Sequence, residues 1–502
     1  MIKQAIVKDK NILILLSLYS FLLLFFCSKM SPLYPINEWS DVNLYYNIGK
    51  AIFNGRTLYT EAFDHKGPLI FFIYGIGYAI SNTSFIGMYL IEAFFWTAMI
   101  CCGYLTARLY LDKIYAFAVA LIFPLFVLSH SSEGGSAEEF ILVFEVVSLL
   151  LFLNYFNNNN SKHAPRYMFI HGVMSAATIL IKINLVVFWL FPLLAILIAI
   201  LKNKDYKNLI ANIAAYIGGM LILFLPIFIY FVYNNALSEA WNTYIVLNGK
   251  YAQLDGFVET IENLAIKFYQ RLRFDTFEYL VILIGAFYFP IQYIQNDTGR
   301  LAIILSFISL HIAIFISPNY VFYYSMPYYI FSLLGSIAII DILSRMIKVQ
   351  ARWYLYVLFS FFALAIGIKE KNFFSLSTAE LLRKEEPNNP AFLFSNIVMK
   401  ESNPTLLNLG LDLGNGVFTK ANIVPNVKYF ISPNLPHSIY PEMREEQTKY
   451  IENKEVQFII LSEFSLNFDY FFNLPALNEN YKIVDTYIED KFKTYYLYKL
   501  KD

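Results

Sequence analysis

Residues 38–41, Glu-Trp-Ser-Asp, and residues 63–69, Phe-Asp-His-Lys-Gly-Pro-Leu, mark the two ends of a polar segment between the first two long apolar runs. The segment places acids, a histidine and a lysine just outside a predicted membrane span. A carboxylate in this position can meet both water and a substrate carried by a lipid. The rest of the chain can be interpreted around this segment.

The composition is that of a polytopic membrane protein. Hydrophobic residues make up 58% of the 502 residues and charged residues only 15%, whereas about a quarter of the residues in soluble domains are charged. The 38 basic and 38 acidic residues cancel, so no global field indicates a nucleic acid or an acidic partner. The three cysteines lie in apolar runs, without the spacing of a zinc site or a redox pair.

Apolar runs of sufficient length predict the membrane spans. A hydrocarbon core of about 30 Å requires roughly 20 apolar residues per helix, and the sequence offers about eleven such runs. They lie near residues 11–30, 84–107, 114–130, 138–156, 167–181, 184–201, 209–232, 276–294, 301–317, 323–344 and 353–368. No small-residue cleavage site follows the first run, so we expect it to remain as a membrane anchor.

The distribution of basic residues predicts the orientation. Lysine and arginine are retained preferentially in short cytoplasmic loops, and here they fall in alternate loops, starting with Lys8 and Lys10. The N-terminus is therefore predicted to be cytoplasmic and, with an odd number of spans, the C-terminal end to lie outside. The chain then divides into a transmembrane module, 1–368, with its first outer loop at 31–83, and an extracytoplasmic domain, 369–502.

The C-terminal segment has the pattern of a small α/β domain. Residues 456–461 and 494–500 resemble short strands, and residues 442–452 have a helical pattern. Glycines and Pro425 mark turns between them. The fold class is therefore a multi-pass helical membrane protein with a small α/β domain outside the membrane.

Ionisable residues at the edge of a span cost free energy unless they are paired or hydrated, which makes them functional candidates. Asp41 follows the first span closely; its structural explanation is a solvated loop acid or a helix N-cap. Lys66 could contact a phosphate at the membrane surface, and a helix starting near Pro68 would add exposed amide donors. The alternative for residues 64–68 is an interfacial turn whose charges meet lipid headgroups.

Further ionisable residues lie in later predicted outer loops. Glu133, Glu138 and Glu139 precede or begin the fourth span, where acids also favour the positive end of a helix. Glu145, one to two turns deeper, is less easily explained in this way. Lys182 interrupts two apolar runs at a predicted outer turn, and a lysine that snorkels to the interface explains it equally well.

The sequence contains no Gly-rich dinucleotide motif, Walker loop, HExxH motif or GxSxG motif in a usable context. The chemistry must therefore proceed without a nucleotide cradle. A donor that arrives within the membrane is consistent with this. The acids and histidines also show no spacing that demands a metal ion.

The chain resembles the bacterial GT-C glycosyltransferases related to protein O-mannosyltransferases and to the aminoarabinose transferase of lipid A. The motifs that carry the resemblance are residues 39–41 after the first span, Gly49, Gly55, Tyr59, residues 63–69, the acidic loop 133–139 and residues 181–184. It covers the first two hundred residues well and is mainly one of topology beyond them. One departure lies at residues 318–327, where many relatives have an Arg or a His-Tyr pair.

The family uses polyprenyl-phosphate sugars, and the resemblance implies roles for individual residues. Asp41 would be the general base that takes a proton from an acceptor hydroxyl as it attacks the anomeric carbon with inversion. Lys66, Lys182 and His65 would contact the donor phosphate, with Arg56 as a less favoured cation.

The remaining acids would contact the acceptor or the sugar. These are Asp64, Glu133, Glu138 and Glu139. A divalent cation between such acids is compatible with the wider superfamily, so metal dependence stays open.

The sequence therefore predicts an inverting glycosyltransferase of the bacterial plasma membrane. It would move a sugar from a polyprenyl phosphate, such as undecaprenyl phosphate, to an extracytoplasmic glycan, lipid or protein. The alternatives are a transporter or flippase of lipid-linked saccharides and a membrane polymerase. Transport predicts charges throughout the spans and internal repeats of helices, whereas the charges here concentrate on one predicted face.

Overall fold

The computed structural model describes residues 2–157, 162–252, 256–316, 320–347, 353–376, 381–382, 386–410, 412–432, 435–490 and 493–501. Up to residue 367 the regular structure is helical, as expected for a backbone that must satisfy its own hydrogen bonds within a bilayer. Its first helices are α1 (Ile2–Lys8), α2 (Lys10–Cys27), α3 (Ser40–Phe53), α4 (Pro68–Ile80), α5 (Ile86–Ala107), α6 (Lys113–Leu128), α7 (Ala137–Phe156), α8 (Pro165–Ile179) and α9 (Val187–Lys202).

The helices that follow include several short ones. They are α10 (Tyr206–Tyr233), α11 (Leu237–Trp241), α12 (Asn248–Tyr251), α13 (Phe257–Phe274), α14 (Thr276–Leu283), α15 (Phe289–Tyr293), α16 (Asp297–Phe315), α17 (Ile330–Ile347) and α18 (Tyr354–Gly367). Short 3₁₀ turns at Ile183–Val186 and Phe322–Tyr329 precede α9 and α17, and π turns at Asn242–Leu247 and Ile284–Tyr288 precede α12 and α15.

Eight helical segments in the described part of the chain are long and apolar enough to cross a membrane. They are Lys10–Cys27, Ile86–Ala107, Ala137–Phe156, Ile183–Lys202, Tyr206–Tyr233, Thr276–Tyr293, Asp297–Phe315 and Phe322–Met346, and the shorter apolar helices are α4, α6 and α18. The predicted count of eleven spans is not confirmed. Helix α8, at the expected span 167–181, belongs to neither set, whereas α4 lies within the predicted first outer loop.

Two compact units divide the chain. The first contains Met1–Ser28, Glu92–Ile227 and Ala252–Phe374, and the second contains Lys29–Ile91, Phe228–Tyr251 and Ser375–Asp502. The second unit thus groups the first loop with the C-terminal segment, although some three hundred residues separate them in the chain.

Small residues allow close helix contacts in the first unit. A Cβ atom added at Gly335 in α17 would lie 2.0 Å from the carbonyl oxygen of Val281 in α14. A Cβ at Gly285 would lie 1.8 Å from the carbonyl oxygen of Phe331. The two segments therefore pack backbone to backbone, as membrane helices do where small residues meet.

The C-terminal part of the second unit is the small α/β structure that the sequence predicts. Its elements are α19 (Pro390–Val398), β1 (Leu406–Asn408), α20 (Asn415–Lys420), α21 (Pro441–Glu452), β2 (Phe458–Ser462), α22 (Phe468–Phe472), α23 (Pro475–Asn480), β3 (Tyr481–Asp490) and β4 (Lys493–Leu500). The sheet order is β1-β2-β4-β3, with β1 parallel to β2 and the other neighbours antiparallel.

Helix α20 packs on α3 and joins this structure to the first loop. Thr419 donates a hydrogen bond to Asn43 Oδ1 at 3.0 Å, and Asn47 donates one to Thr419 Oγ1 at 3.2 Å. Asn415 donates to Ser40 Oγ at 3.3 Å. The helix that begins with the predicted base is therefore held by the C-terminal segment.

Candidate functional site

Asp41 lies in the first turn of α3 and is partly exposed. A carboxylate is favoured there by the unpaired amide groups at the helix N-terminus. The hydroxyl of Tyr45, one turn further on, donates a hydrogen bond to Asp41 Oδ2 at 3.2 Å. Tyr45 itself is only 1% exposed and packs edge-on against Phe71 and Tyr74 of α4. The predicted base is thus held by a rigid, buried phenol while it stays accessible.

Close packing of α3 on α4 fixes this arrangement. A Cβ atom added at Gly49 would lie 2.5 Å from the backbone nitrogen of Gly75, so only glycine permits the approach. Helix α4 starts at Pro68, as the sequence predicts, because proline fits the first helical turn without losing a needed amide donor.

The segment before α4 is shaped by Tyr59, which adopts a φ of 68° and is fully buried. Its hydroxyl donates to the carbonyl oxygen of Lys66 at 2.7 Å, and its ring stacks on Phe231 at 5.6 Å. A left-handed conformation is costly for a bulky residue and persists only where the surroundings enforce it. Tyr59 therefore fixes the position of Lys66 through the backbone.

Asp64 and His65 form a buried pair. Asp64 Oδ1 accepts a hydrogen bond from the His65 backbone amide at 2.8 Å and lies 3.2 Å from His65 Nδ1. Burial raises the pKa of Asp64, but the contacts with His65 and the charge of Lys66 outweigh it and hold the pKa below its ordinary value. Asp64 Oδ2 is buried with no hydrogen-bond partner among the described residues, so one acceptor atom remains available.

Helix α12 covers this pair and supplies a residue that sequence analysis missed. Asn248 donates a hydrogen bond to the His65 carbonyl oxygen at 2.5 Å, and the rings of Tyr251 and His65 lie 5.2 Å apart. Burial raises the pKa of Tyr251; Lys66 opposes this, whereas the charges of Asp41 and Asp64 add to it.

The charges of Asp41, Asp64 and Lys66 therefore all act on the Tyr251 phenol. The sequence signal for Tyr251 was only an aromatic residue in a long loop, and nothing in its neighbours indicated the contact.

In the first unit, the acidic loop before α7 closes on its own helix. Gly134 and Gly135 have φ angles of 96° and 77°, which few other residues adopt. Ser136 is the N-cap, and its hydroxyl accepts a hydrogen bond from the Glu139 amide at 3.0 Å. Glu139 Oε2 accepts one from the Gly135 amide at 3.0 Å. The second oxygen of Glu139, Oε1, accepts a hydrogen bond from Trp96 Nε1 at 2.5 Å. Both carboxylate oxygens of Glu139 are therefore engaged in contacts within the protein.

Lys182 and Glu138 form an ion pair. Their Nζ and Oε1 atoms lie 2.6 Å apart, and Glu138 is only 1% exposed at the side chain. The lysine ammonium also lies 3.5 Å from the ring centroid of Tyr324. Glu133 has a buried carboxylate oxygen in the same loop, and Glu92, which sequence analysis missed, accepts a hydrogen bond from Ser28 at 2.7 Å.

A second cationic region lies on α13, which the sequence left as a loop. Lys267, Arg271 and Tyr320 line a cavity of about 180 Å³, with the two cations 5.5 and 5.3 Å from the tyrosine ring centroid. Arg271 pairs with Asp275 and donates a hydrogen bond to His130 Nε2 at 3.1 Å. Asp275 also lines the cavity and pairs with Arg271, so the cavity offers one net positive charge beside an aromatic ring.

His130 and Asp275 have different roles in this cluster. Burial lowers the pKa of His130, and its Nε2 also lies 2.8 Å from the Tyr329 hydroxyl, so a neutral ring fits the contacts. His130 and Arg271 lower the pKa of Asp275 to about 2. The ion pair with Arg271 is the main cause of the low pKa of Asp275, because Arg271 contacts the carboxylate directly whereas His130 Nε2 lies 3.8 Å from Asp275 Oδ2.

The site residues predicted from sequence thus fall into two groups. Asp41, Asp64, His65 and Lys66 gather in the second unit, and Glu133, Glu138, Glu139 and Lys182 gather in the first. The less favoured Arg56 pairs with Glu61 at 3.4 Å. Within the described ranges, three or more histidine, cysteine, aspartate or glutamate residues nowhere approach one another closely enough to hold a metal ion. Residues 317–319, at the start of the departure noted above, lie outside the described residues.

No protein-family model and no curated protein matches the sequence. Solved structures do match over almost the whole chain. ArnT from Cupriavidus metallidurans in the apo state aligns with a TM-score of 0.60 at 12% identity, covering 98% of each chain. The chain has the GT-C fold.

Other solved structures are also similar. The same ArnT bound to undecaprenyl phosphate aligns with a TM-score of 0.57 at 13% identity, covering 96% of this chain and 97% of ArnT. The oligosaccharyltransferase AglB from Archaeoglobus fulgidus, in complex with an inhibitory peptide and a dolichol-phosphate, aligns with a TM-score of 0.47 at 15% identity, covering 97% of this chain and 74% of AglB. The fold of the chain is that of an integral, multi-pass membrane protein.

Proposed function

We propose that this protein is an inverting glycosyltransferase that uses a polyprenyl-phosphate sugar, such as an undecaprenyl-phosphate sugar, and an extracytoplasmic cell-envelope acceptor. The observation that carries the proposal is the close packing of α3, which has Asp41 in its first turn, on α4, which begins directly after Asp64, His65 and Lys66. It combines an accessible base and a cation next to a helix that begins at Pro68. The similarity to ArnT bound to undecaprenyl phosphate supports a lipid phosphate as the donor.

In the proposed reaction, Asp41 removes the proton of an acceptor hydroxyl. The hydroxyl oxygen forms a bond to the anomeric carbon from the face opposite the phosphate. The bond between that carbon and the phosphate oxygen breaks, and its electron pair leaves with the lipid phosphate. A positioned general base contributes about 10² to 10⁴ in rate.

The leaving group is a stable anion, so it needs positive charge rather than an acid. We assign this role to Lys66, because Tyr59 holds its carbonyl oxygen and the residue lies two positions before the first residue of α4. Fixed charges in a poorly hydrated site stabilise developing negative charge better than water does. His65 would then act by orienting Asp64, which keeps one acceptor atom for a sugar hydroxyl.

The cations of the first unit are proposed to act on the same class of ligand. Lys267 lines a cavity together with the ion pair of Arg271 and Asp275, and the one net positive charge there suits an anionic group of the donor or the acceptor. Lys182 is already paired with Glu138, so its contact with a phosphate would require that this ion pair opens. For that reason we propose Lys66 as the principal phosphate contact.

Transfer from radiolabelled polyprenyl-phosphate sugars tests the role of Asp41. We expect Asp41→Asn to lower kcat by at least about 10²-fold, with little change in KM for the donor, because the amide cannot accept the proton. Asp297→Asn is the matched control, since the side chain of Asp297 is 90% exposed and pairs only locally with Arg300. Transfer by the Asp41 variant at the wild-type rate would refute the proposed base.

The phosphate contact requires a separate measurement. We expect Lys66→Gln to raise KM for the donor and to lower kcat, because the charge contacts the phosphate in both the bound and the transition state. Lys482→Gln serves as the control, because Lys482 is an exposed residue of β3. If folded wild-type protein transferred no sugar from any monophosphate donor but moved lipid-linked saccharides across vesicles, a flippase would replace the proposed transferase.

A further inference from the structure

An open cavity of about 350 Å³ lies in the first unit; none of the site residues described above lines it, although Ser129 at its edge lies 3.0 Å from His130 Nδ1. Helices α6, α14, α17 and α18 contribute its walls, which are mainly aliphatic and aromatic. Phe277 and Phe362 at its rim are 68% and 59% exposed. In a membrane-embedded helical unit, such an opening faces the acyl chains of lipids.

The cavity has a polar end and an apolar end. Ser129, which follows α6, Glu278 in the first turn of α14 and Glu370, three residues beyond α18, lie at helix ends. Ile122 of α6 and Phe362 of α18 lie about two turns away from these ends, which corresponds to roughly 10 Å at 1.5 Å per residue. The cavity is therefore shaped for a chain with a polar group at one end.

The polar end carries two carboxylates. Neither the Glu278 nor the Glu370 carboxylate has a hydrogen bond, or an ion pair within 4.0 Å, among the described residues. Burial raises the pKa of Glu370 to about 7; Lys371 opposes this and the charge of Glu278 adds to it. Both acids line the same cavity, and the charge of Lys371 acts on Glu370 more strongly than that of Glu278.

We propose that this cavity binds a membrane phospholipid with a primary amine in its headgroup, with one acyl chain in the apolar part and the ammonium group between Glu278 and Glu370. The charge complementarity argues for this occupant, because an ammonium donates hydrogen bonds to carboxylates. Lys371 follows Glu370 in the chain and is the proposed contact of the lipid phosphate. Its ammonium lies 4.8 Å from the ring centroid of Phe322.

The same charges argue against other lipids. The phosphate of a polyprenyl phosphate or the headgroup of an anionic phospholipid would face two carboxylates, and like charges repel at this distance. A choline headgroup is cationic, but its trimethylated nitrogen cannot donate a hydrogen bond. The site is therefore expected to prefer ethanolamine over choline and to select against glycerol headgroups. This inference does not rest on the proposed transferase activity, because no sugar donor takes part.

Lipid retention measures the preference directly. The purified full-length protein is reconstituted with equimolar phosphatidylethanolamine, phosphatidylcholine and phosphatidylglycerol of identical acyl chains, and native mass spectrometry then counts the lipids that stay bound. We expect phosphatidylethanolamine to be retained roughly tenfold over phosphatidylglycerol, as suits a charge-assisted hydrogen bond. The preference should disappear in the Glu278→Gln/Glu370→Gln double variant and persist in Glu479→Gln, which changes an exposed acid of the C-terminal segment.

A second variant separates headgroup recognition from chain binding. Ile339→Trp fills the apolar part of the cavity and should lower retention of all three lipids, while thermal unfolding and gel filtration check that the protein remains folded. Equal retention of the three lipids by the wild type, unchanged selectivity in the double variant, or preferential retention of an added polyprenyl phosphate in this cavity would each overturn the proposal.

Discussion

Lys50 of α3 offers the sharpest test of how the first loop is held. Its side chain is fully buried, and Nζ donates hydrogen bonds to the carbonyl oxygens of Phe418 at 2.7 Å and Ile423 at 3.3 Å. The rings of Tyr46 and Tyr78 lie 5.7 and 5.8 Å from the ammonium. No carboxylate of the described residues pairs with it. Burial lowers the pKa of Lys50 from 10.5 to about 7.

The sign of the pH dependence follows from this difference. Between pH 7 and 10.5 the unfolded chain keeps the proton on Lys50 while the folded protein has lost it, so the free energy of unfolding rises with pH across this window. Each tenfold change in proton affinity is worth about 1.4 kcal/mol. From pH 6.5 to pH 9.5, titration of this one group should stabilise the wild type by about 3 kcal/mol, an order-of-magnitude figure.

Lys50→Met removes the titrating group while keeping a long, flexible side chain. Denaturant unfolding in detergent micelles, followed at pH 6.5 and 9.5, compares the variant with the wild type and with Lys482→Met as an exposed control. We expect the variant to lose the component of about 3 kcal/mol, whereas the control keeps it. The reasoning fails if the wild type and Lys50→Met show the same dependence on pH, because the buried lysine would then titrate as it does in water.

Three further perturbations test other contacts. Lys182→Met should destabilise the protein by about 3 kcal/mol because it breaks a mostly buried ion pair. Adding Glu138→Gln should recover part of the lost stability in the same denaturation assay. Additive losses would show that the two residues are not coupled. Gly335→Val should lower the yield of monodisperse protein in gel filtration, because its Cβ would meet the carbonyl oxygen of Val281 at 2.0 Å; wild-type yield and melting temperature would contradict the close packing. The pKa of Asp275 falls to about 2 on folding. The stabilisation that its carboxylate contributes is therefore present above the unfolded pKa of about 3.9 and is lost as pH falls towards 2. Asp275→Asn should destabilise the protein by about 1 to 2 kcal/mol at pH 6, and an equal loss at pH 2 would argue against this ion pair.

Local patterns in the sequence predicted those features that depend on neighbouring residues. Runs of apolar residues located most of the membrane helices, and Pro68 marked the start of α4. Short runs of strand-forming residues located β2 and β4. These predictions succeed because helix and strand periods, and the length needed to cross a bilayer, are properties of short segments. The count of spans is not confirmed, because apolar helices of intermediate length fit a span or a buried element equally well.

The partners of the candidate site residues could not be predicted in this way. Tyr251 lies far from His65 in the chain, yet their rings are 5.2 Å apart. Lys182 has the same sequence environment whether it contacts a phosphate, snorkels to the interface or pairs with Glu138. Arg271 looked like any basic residue of a long loop. Which of these alternatives holds depends on which helices pack together, and no local spacing encodes that.

By itself, the sequence determined that this is a multi-pass helical membrane protein with a small α/β segment, and that a conspicuous acidic and basic motif follows its first span. Composition and period are sufficient for this, because the bilayer limits a chain to few solutions. Only the tertiary structure decided that Tyr45, which bonds Asp41, packs against α4, that Tyr251 lies beside His65, and that Lys182 is engaged by Glu138. Such contacts join segments that are distant in the chain, and their geometry exists only once the helices have packed.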